Sequence, residues 1–149
     1  MLDNAATKER VRRAIEPVVL FLHRMGVTPN MLTITGVVLN AGVGLMIAAG
    51  YTQVAGFVLI ATSAFDLLDG ALAKASGQAT RFGAFLDSTL DRYSEAAVLF
   101  GLLWLSVQRS ASGDILLIYV VIVGSLMVSY TRARAEGLDL ECRVGWLGR

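Results

Sequence analysis

The stretch Asp66-Leu67-Leu68-Asp69-Gly70-Ala71-Leu72-Ala73-Lys74, followed after eight residues by Gly83-Ala84-Phe85-Leu86-Asp87-Ser88-Thr89-Leu90-Asp91, decides how the chain folds. It sets carboxylates at a helical period inside segments that are otherwise apolar. Asp66, Asp69, Gly70 and Ala73 fall at i, i+3, i+4 and i+7, one face of one helix. Gly83, Asp87, Asp91 and Glu95 fall at i, i+4, i+8 and i+12, one face of the next. The residues between, 75–80, are small and polar, with Lys74 and Arg81 at the two ends. The spacing predicts two antiparallel helices presenting two acidic pairs to each other. Asp66 lies eight residues before Lys74 and Asp91 ten after Arg81. Both pairs therefore share a layer roughly 10 to 15 Å from the helix ends.

The surroundings of this stretch are those of a membrane protein. Of 149 residues, 55% are hydrophobic and only 17% charged, against roughly 25% charged in a soluble domain. From Met25 to Phe65 run 41 residues without an Asp, Glu, Lys or Arg, and a span needs about 20. Soluble-enzyme and disordered classes are excluded. A net charge of +1 supplies no basic field, so no nucleic-acid partner is expected. The lone Cys142 offers neither a disulfide framework nor a cysteine metal site, and no cleavable signal is read at the N-terminus.

The expected fold is all-α, a polytopic transmembrane helix bundle forming one domain over residues 1–149. Its spans are about Asn30–Gly50, Val54–Lys74, Arg81–Val107 and Ile115–Arg134, the first opened by the start signal Thr28-Pro29-Asn30. Residues 8–25 place apolar side chains opposite a basic face, the pattern of an amphipathic helix lying at the interface. Gly36, Asn40 and Gly44, at four-residue steps, would let a neighbouring helix approach closely. With four spans, eleven basic residues share one side and only Arg109 lies opposite. The positive-inside rule then puts the N-terminus and the acidic layer in the cytoplasm, in a multi-pass protein of the cell membrane. Tyr51, Trp104 and Tyr119 fall near the outer interface, where aromatic belts occur.

Asp66, Asp69, Asp87, Asp91 and Glu95 each cost about 2.5 to 3.5 kcal/mol at a helix centre, and such residues are functional by default. Clustered carboxylates cannot all carry charge without a counter-charge. Two divalent cations remove the conflict, and an all-oxygen donor set favours Mg²⁺, or Mn²⁺, over zinc. Mg²⁺ so held completes its shell with water and substrate phosphates. Gly70 and Ala73 would let such a phosphate near the backbone, so the layer reads as a diphosphate pocket. One alternative is a helix-packing network with Lys74, Arg81 and Arg92, but three cations do not neutralise five acids. A divalent-cation carrier is the other; a transport relay, however, would cross the bilayer rather than cluster at one end.

Residues 66–91 resemble the signature of the CDP-alcohol phosphotransferase family, D-x2-D-G-x2-A-R-x8-G-x3-D-x3-D. Every position matches except Lys74, which stands where the family has Arg. The resemblance runs from about Val11 to Glu136. It implies that a CDP-linked lipid binds at the signature, that an acceptor hydroxyl attacks its β-phosphate, and that CMP leaves. Carried over by position, Asp66, Asp69, Asp87 and Asp91 would hold two metals, with Asp91 also the base. Asp69, Gly70, Ala73, Lys74, Thr80 and Gly83 would meet the CDP-lipid phosphates, with Asn30 and Thr33 near the base or ribose. Lys74 brings a point charge rather than a planar fork. Ser129 to Glu136 is similar to a segment of family members that use inositol phosphate, which makes Arg132, Arg134 and Arg143 the candidate acceptor-phosphate site. A phosphorylated polyol is thus the expected partner, inositol phosphate ahead of glycerol 3-phosphate. The resemblance further implies a homodimer. It also implies six spans, so the four seen here lead to the expectation that two helices are lacking.

Overall fold

The computed structural model describes residues 16–77 and 80–140; of residues 64–67, 69, 74 and 75 it describes the backbone only. Every regular element among them is helical. After a helical stretch over 16–24 come α1 (Pro29–Ala48), α2 (Thr52–Ala75), α3 (Arg81–Gln108) and α4 (Ser112–Glu136). These match the four anticipated segments to within three residues, and the differences have local causes. Thr28 is the N-cap of α1, its side chain accepting from the Met31 N–H at 3.4 Å, and Pro29 takes the first turn, where its missing N–H is harmless. Gly50 lies in the turn after α1 rather than in the span, at φ 90°. The anticipated interfacial helix lies outside the described residues over 8–15. Over 16–24 the chain is helical, with Val19 buried against Leu32 of α1 and Leu72 of α2.

Among the described residues two helices, α1 and α4, are long and apolar enough to cross a membrane by length and composition. Within α2, Thr52–Ser63 is an apolar stretch. At about 1.5 Å per residue, all four helices reach the roughly 30 Å of a hydrocarbon core.

Packing among the described residues centres on α1, which lies against both α2 and α3, while α4 lies against α3 alone. Among the described residues α2 and α3 do not pack on each other, so the two signature-bearing helices are held by α1. The spacing of Gly36, Asn40 and Gly44 is the reason α1 can do this: all three are buried. A Cβ on Gly44 would strike the Ala97 carbonyl of α3. Asn40 accepts at Oδ1 from Thr62 Oγ1 of α2 at 3.2 Å, a buried polar tie between helices. Val43, Ile47, Ala55 and Leu105 form the apolar cluster at this end. α4 contributes no buried residue, and large apolar side chains such as Leu116, Val120 and Val128 stand exposed along it.

Candidate functional site

The α2 half of the signature starts with backbone placement. Asp66, Asp69, Gly70 and Ala73 occupy the last turns of α2, on the opposite side of the helix from Leu68, Ala71 and Leu72, which pack toward Val19 and Leu32. Gly70 is exposed, with open space where a Cβ would sit. Gly77, at φ 65°, turns the chain out of α2 in a conformation that side chains rarely adopt. The side chains of Asp66, Asp69 and Lys74 lie outside what the structure describes.

The other half begins at Thr80, the N-cap of α3. Its Oγ1 accepts from the Gly83 N–H at 2.9 Å. A Cβ on Gly83 would lie 3.0 Å from Thr80 Oγ1 and 3.5 Å from Asn30 Oδ1. Asn30, Thr80 and Gly83, far apart in sequence, are therefore brought together at the N-terminus of α3. The first backbone N–H groups of a helix and its dipole favour an anion there. Thr33 sits one turn beyond Asn30 on α1, half-buried, its Oγ1 donating to the Pro29 carbonyl at 3.2 Å.

Asp87 and Asp91 follow on α3, one turn apart and half-buried. Asp91 lines a groove of about 1000 Å³ between α3 and α4, whose other walls include Arg92, Ser129 and Arg132. Arg132 extends Nε to Glu136 Oε1 at 3.0 Å, both side chains well exposed, a pairing that water and salt leave weak. Arg134 is exposed and does not line the groove. Arg143 lies outside the described residues. Glu95 leaves the acidic layer for a different partnership. Its Oε2 meets Arg92 Nη1 at 3.3 Å and its Oε1 accepts from Ser125 Oγ at 2.6 Å, while Arg92 Nη1 donates to Ser129 Oγ at 2.7 Å. Sequence reasoning missed Ser125 and Ser129, whose signal was two hydroxyls one turn apart in an apolar run.

Among the described residues no group of three or more His, Cys, Asp or Glu converges. The donor set nonetheless fits a hard cation. Asp87 and Asp91 offer only oxygen, share a face of α3, and stand partly withdrawn from water.

A family profile described as CDP-alcohol phosphatidyltransferase matches residues 26–148. The chain is 38% identical over 129 residues to the archaetidylinositol phosphate synthase of Pyrococcus horikoshii, covering 87% of this chain and 66% of that one. It is 37% identical over 144 residues to the phosphatidylinositol phosphate synthase of Mycobacterium tuberculosis, covering 92% and 64%. The crystal structure of the latter enzyme with CDP-DAG bound superposes with a TM-score of 0.84 at 35% identity, covering 92% of this chain and 70% of that one. Its complex with manganese and citrate gives 0.79 at 36% identity, covering 89% and 65%. The chain thus spans a little under two thirds of the length of the curated relatives it matches.

Proposed function

This chain belongs to the CDP-alcohol phosphatidyltransferase family, and we propose that it transfers a phosphatidyl-type group from a CDP-lipid to the hydroxyl of inositol phosphate, releasing CMP. The observation that carries this reading is the groove in which Asp91 and Arg132 share one space. A carboxylate able to take a hydroxyl proton and a guanidinium able to hold a phosphate are the two groups a phosphorylated alcohol requires. The relatives named as inositol-phosphate lipid synthases support the acceptor. Glycerol 3-phosphate is the second acceptor, since it presents the same phosphate and hydroxyl.

Asn30, Thr80 and Gly83 receive the CDP part at the α3 N-terminus. The absence of a side chain at Gly83 keeps that approach open, and Gly70, Ala73 and Lys74 of α2 would complete the phosphate contacts. Arg132 holds the acceptor phosphate, with Arg143 as a further candidate, while Arg134 stands outside the groove. Asp91 Oδ accepts the proton as the acceptor oxygen attacks the β-phosphorus, the bond to the CMP oxygen breaks, and CMP departs with that electron pair. Asp66, Asp69, Asp87 and Asp91 would hold two divalent ions, Mg²⁺ or Mn²⁺, which neutralise charge on the attacking and leaving oxygens; manganese in a relative's structure supports this. In this reading the chain is one domain that crosses the membrane four times, with its N-terminus and site cytoplasmic, and it pairs as a homodimer.

The test is CMP release by the purified protein with CDP-diacylglycerol and Mg²⁺, comparing inositol 1-phosphate, glycerol 3-phosphate and free inositol, with Asp91→Asn alongside. Release stimulated by inositol 1-phosphate and abolished in the variant supports the proposal. Equal stimulation by free inositol would remove the phosphate-binding role of the groove. Metal binding without CMP release under any acceptor would point instead to a divalent-cation carrier.

A further inference from the structure

Beside Asp91 runs a polar seam that the chemistry above does not use. Arg92 Nη1 of α3 donates to Ser129 Oγ of α4 at 2.7 Å and meets Glu95 Oε2 at 3.3 Å, while Ser125 Oγ of α4 donates to Glu95 Oε1 at 2.6 Å. Among the described residues α4 packs on α3 alone and buries no residue. Apolar contact between helices in lipid is non-directional, so hydrogen bonds of this kind are what resist sliding and rotation. The pairs run in antiparallel register: about one turn forward from Arg92 to Glu95 accompanies about one turn back from Ser129 to Ser125. Carried one turn the other way, the same register sets Ser88 of α3 opposite Arg132 and Ala133 of α4, and all three line the groove. Both groove arginines have a carboxylate, Arg92 with Glu95 and Arg132 with Glu136. The Arg132 pair is the more exposed, at 75% and 62% against 40% and 38%, and so the more readily given up to an anion.

We propose that Arg92, Glu95, Ser125 and Ser129 form a staple that sets the placement of Arg132 relative to Asp91, and so determines how well the groove fits a phosphorylated alcohol. The inference rests on the acceptor reading above. Arg92 is here a positioning residue. Asp91, its chain neighbour, meets the substrate; Arg92 fixes the wall that faces it.

The experiment compares Ser129→Ala, Ser129→Thr and Arg92→Lys in purified protein, measuring CMP release while inositol 1-phosphate and CDP-diacylglycerol are varied separately. Ser129→Ala is expected to raise KM for inositol 1-phosphate about five- to tenfold, the scale of one charge-assisted hydrogen bond, with KM for CDP-diacylglycerol within about twofold. Ser129→Thr, which keeps the hydroxyl, restores the acceptor KM. Arg92→Lys shows the same split as Ser129→Ala, because the lysine nitrogen sits one bond nearer the backbone than Arg92 Nη1 and cannot keep both contacts that Nη1 makes. Equal changes in both KM values, or none in either, overturn the staple. A second readout needs no turnover: oxidative crosslinking of Ser88→Cys to Ala133→Cys in a Cys142→Ser background, with and without Ser129→Ala. At least a halving of the crosslink in the alanine variant is expected. Unchanged crosslinking overturns the staple, whereas a halved crosslink in a protein that uses no acceptor overturns only the acceptor reading.

Discussion

Gly44 of α1 and Gly101 of α3 meet backbone to backbone: a Cβ on Gly101 would strike the Gly44 carbonyl. The contact brings α1 close enough to α3 for Asn30 to reach Gly83 at the other end of the pair. Gly101→Ala must push the helices apart or bend them, at about 1–3 kcal/mol for overpacking. A Cβ on Gly42 of α1 would meet nothing within 4 Å, so Gly42→Ala gains helix propensity of about 0.5–1 kcal/mol. Thermal unfolding in detergent should therefore show a lowered Tm for Gly101→Ala and an unchanged or raised one for Gly42→Ala. Equal behaviour of the two would rule out the close crossing.

Asn40 and Thr62 supply the polar counterpart on the α2 side. Thr62 Oγ1 reaches both Asn40 Oδ1, at 3.2 Å, and the Leu59 carbonyl, at 3.0 Å. Its hydroxyl thus keeps a partner when Asn40 is lost, and the cost of Asn40→Leu stays modest. A double-mutant cycle of Asn40→Leu with Thr62→Val should give a coupling of about 0.6 kcal/mol, and at most about 1.7, the range of interhelical hydrogen bonds in membranes. Chemical unfolding of the four proteins measures it. Zero coupling would mean that the tie does not set the α1–α2 register, one turn before Asp66.

Most of this architecture was legible in the sequence because its devices are local. Helical periodicity placed the acidic positions on their helices, and Thr28-Pro29 marked the start of α1. The small residues at 36 and 44 announced a close crossing, which Gly101 completes. What the pattern could not give is which helix faces which. It paired α2 directly with α3, whereas among the described residues both lie against α1. It also counted Glu95 with the acidic layer, since spacing alone cannot reveal that Arg92 and Ser125 satisfy it. Nor does helical spacing separate Arg132, which lines the groove, from Arg134, which does not. The positive-inside rule accounts for both alike.

Thr80 and Gly83 act as one unit at the proposed nucleotide end. Thr80→Ala removes the acceptor for the Gly83 N–H and costs about 1 kcal/mol of N-cap stability. Gly83→Ala instead inserts a Cβ 3.0 Å from the Thr80 hydroxyl, tighter than ordinary contact. Both should lower kcat/KM for CDP-diacylglycerol, Gly83→Ala by about tenfold or ~1.4 kcal/mol, while KM for the acceptor holds. Steady-state CMP release separates the two substrates. A change confined to the acceptor KM would move the nucleotide away from the α3 N-terminus.

Arg132 and Glu136 make the sharpest test of the acceptor end, because their pairing competes with the proposed ligand. Arg132 Nε is committed to Glu136 Oε1 at 3.0 Å, but with side chains 75% and 62% exposed the pair is worth little. An acceptor phosphate, which carries more charge than a carboxylate and can take two parallel bonds from the same guanidinium, should win the competition. Arg132→Ala is expected to raise KM for inositol 1-phosphate about 10- to 100-fold, a loss of about 1.5–3 kcal/mol. Glu136→Gln should lower that KM by about two- to threefold, since it frees the guanidinium at the cost of a weak pair. Arg134→Ala, outside the groove, should change it less than about twofold beyond any loss of surface charge. Raising the salt concentration should narrow the difference between wild type and Glu136→Gln while preserving most of the Arg132→Ala defect. If Arg134→Ala proved the more damaging substitution, the acceptor phosphate would have to bind on the other side of α4, and the groove would lose its assignment.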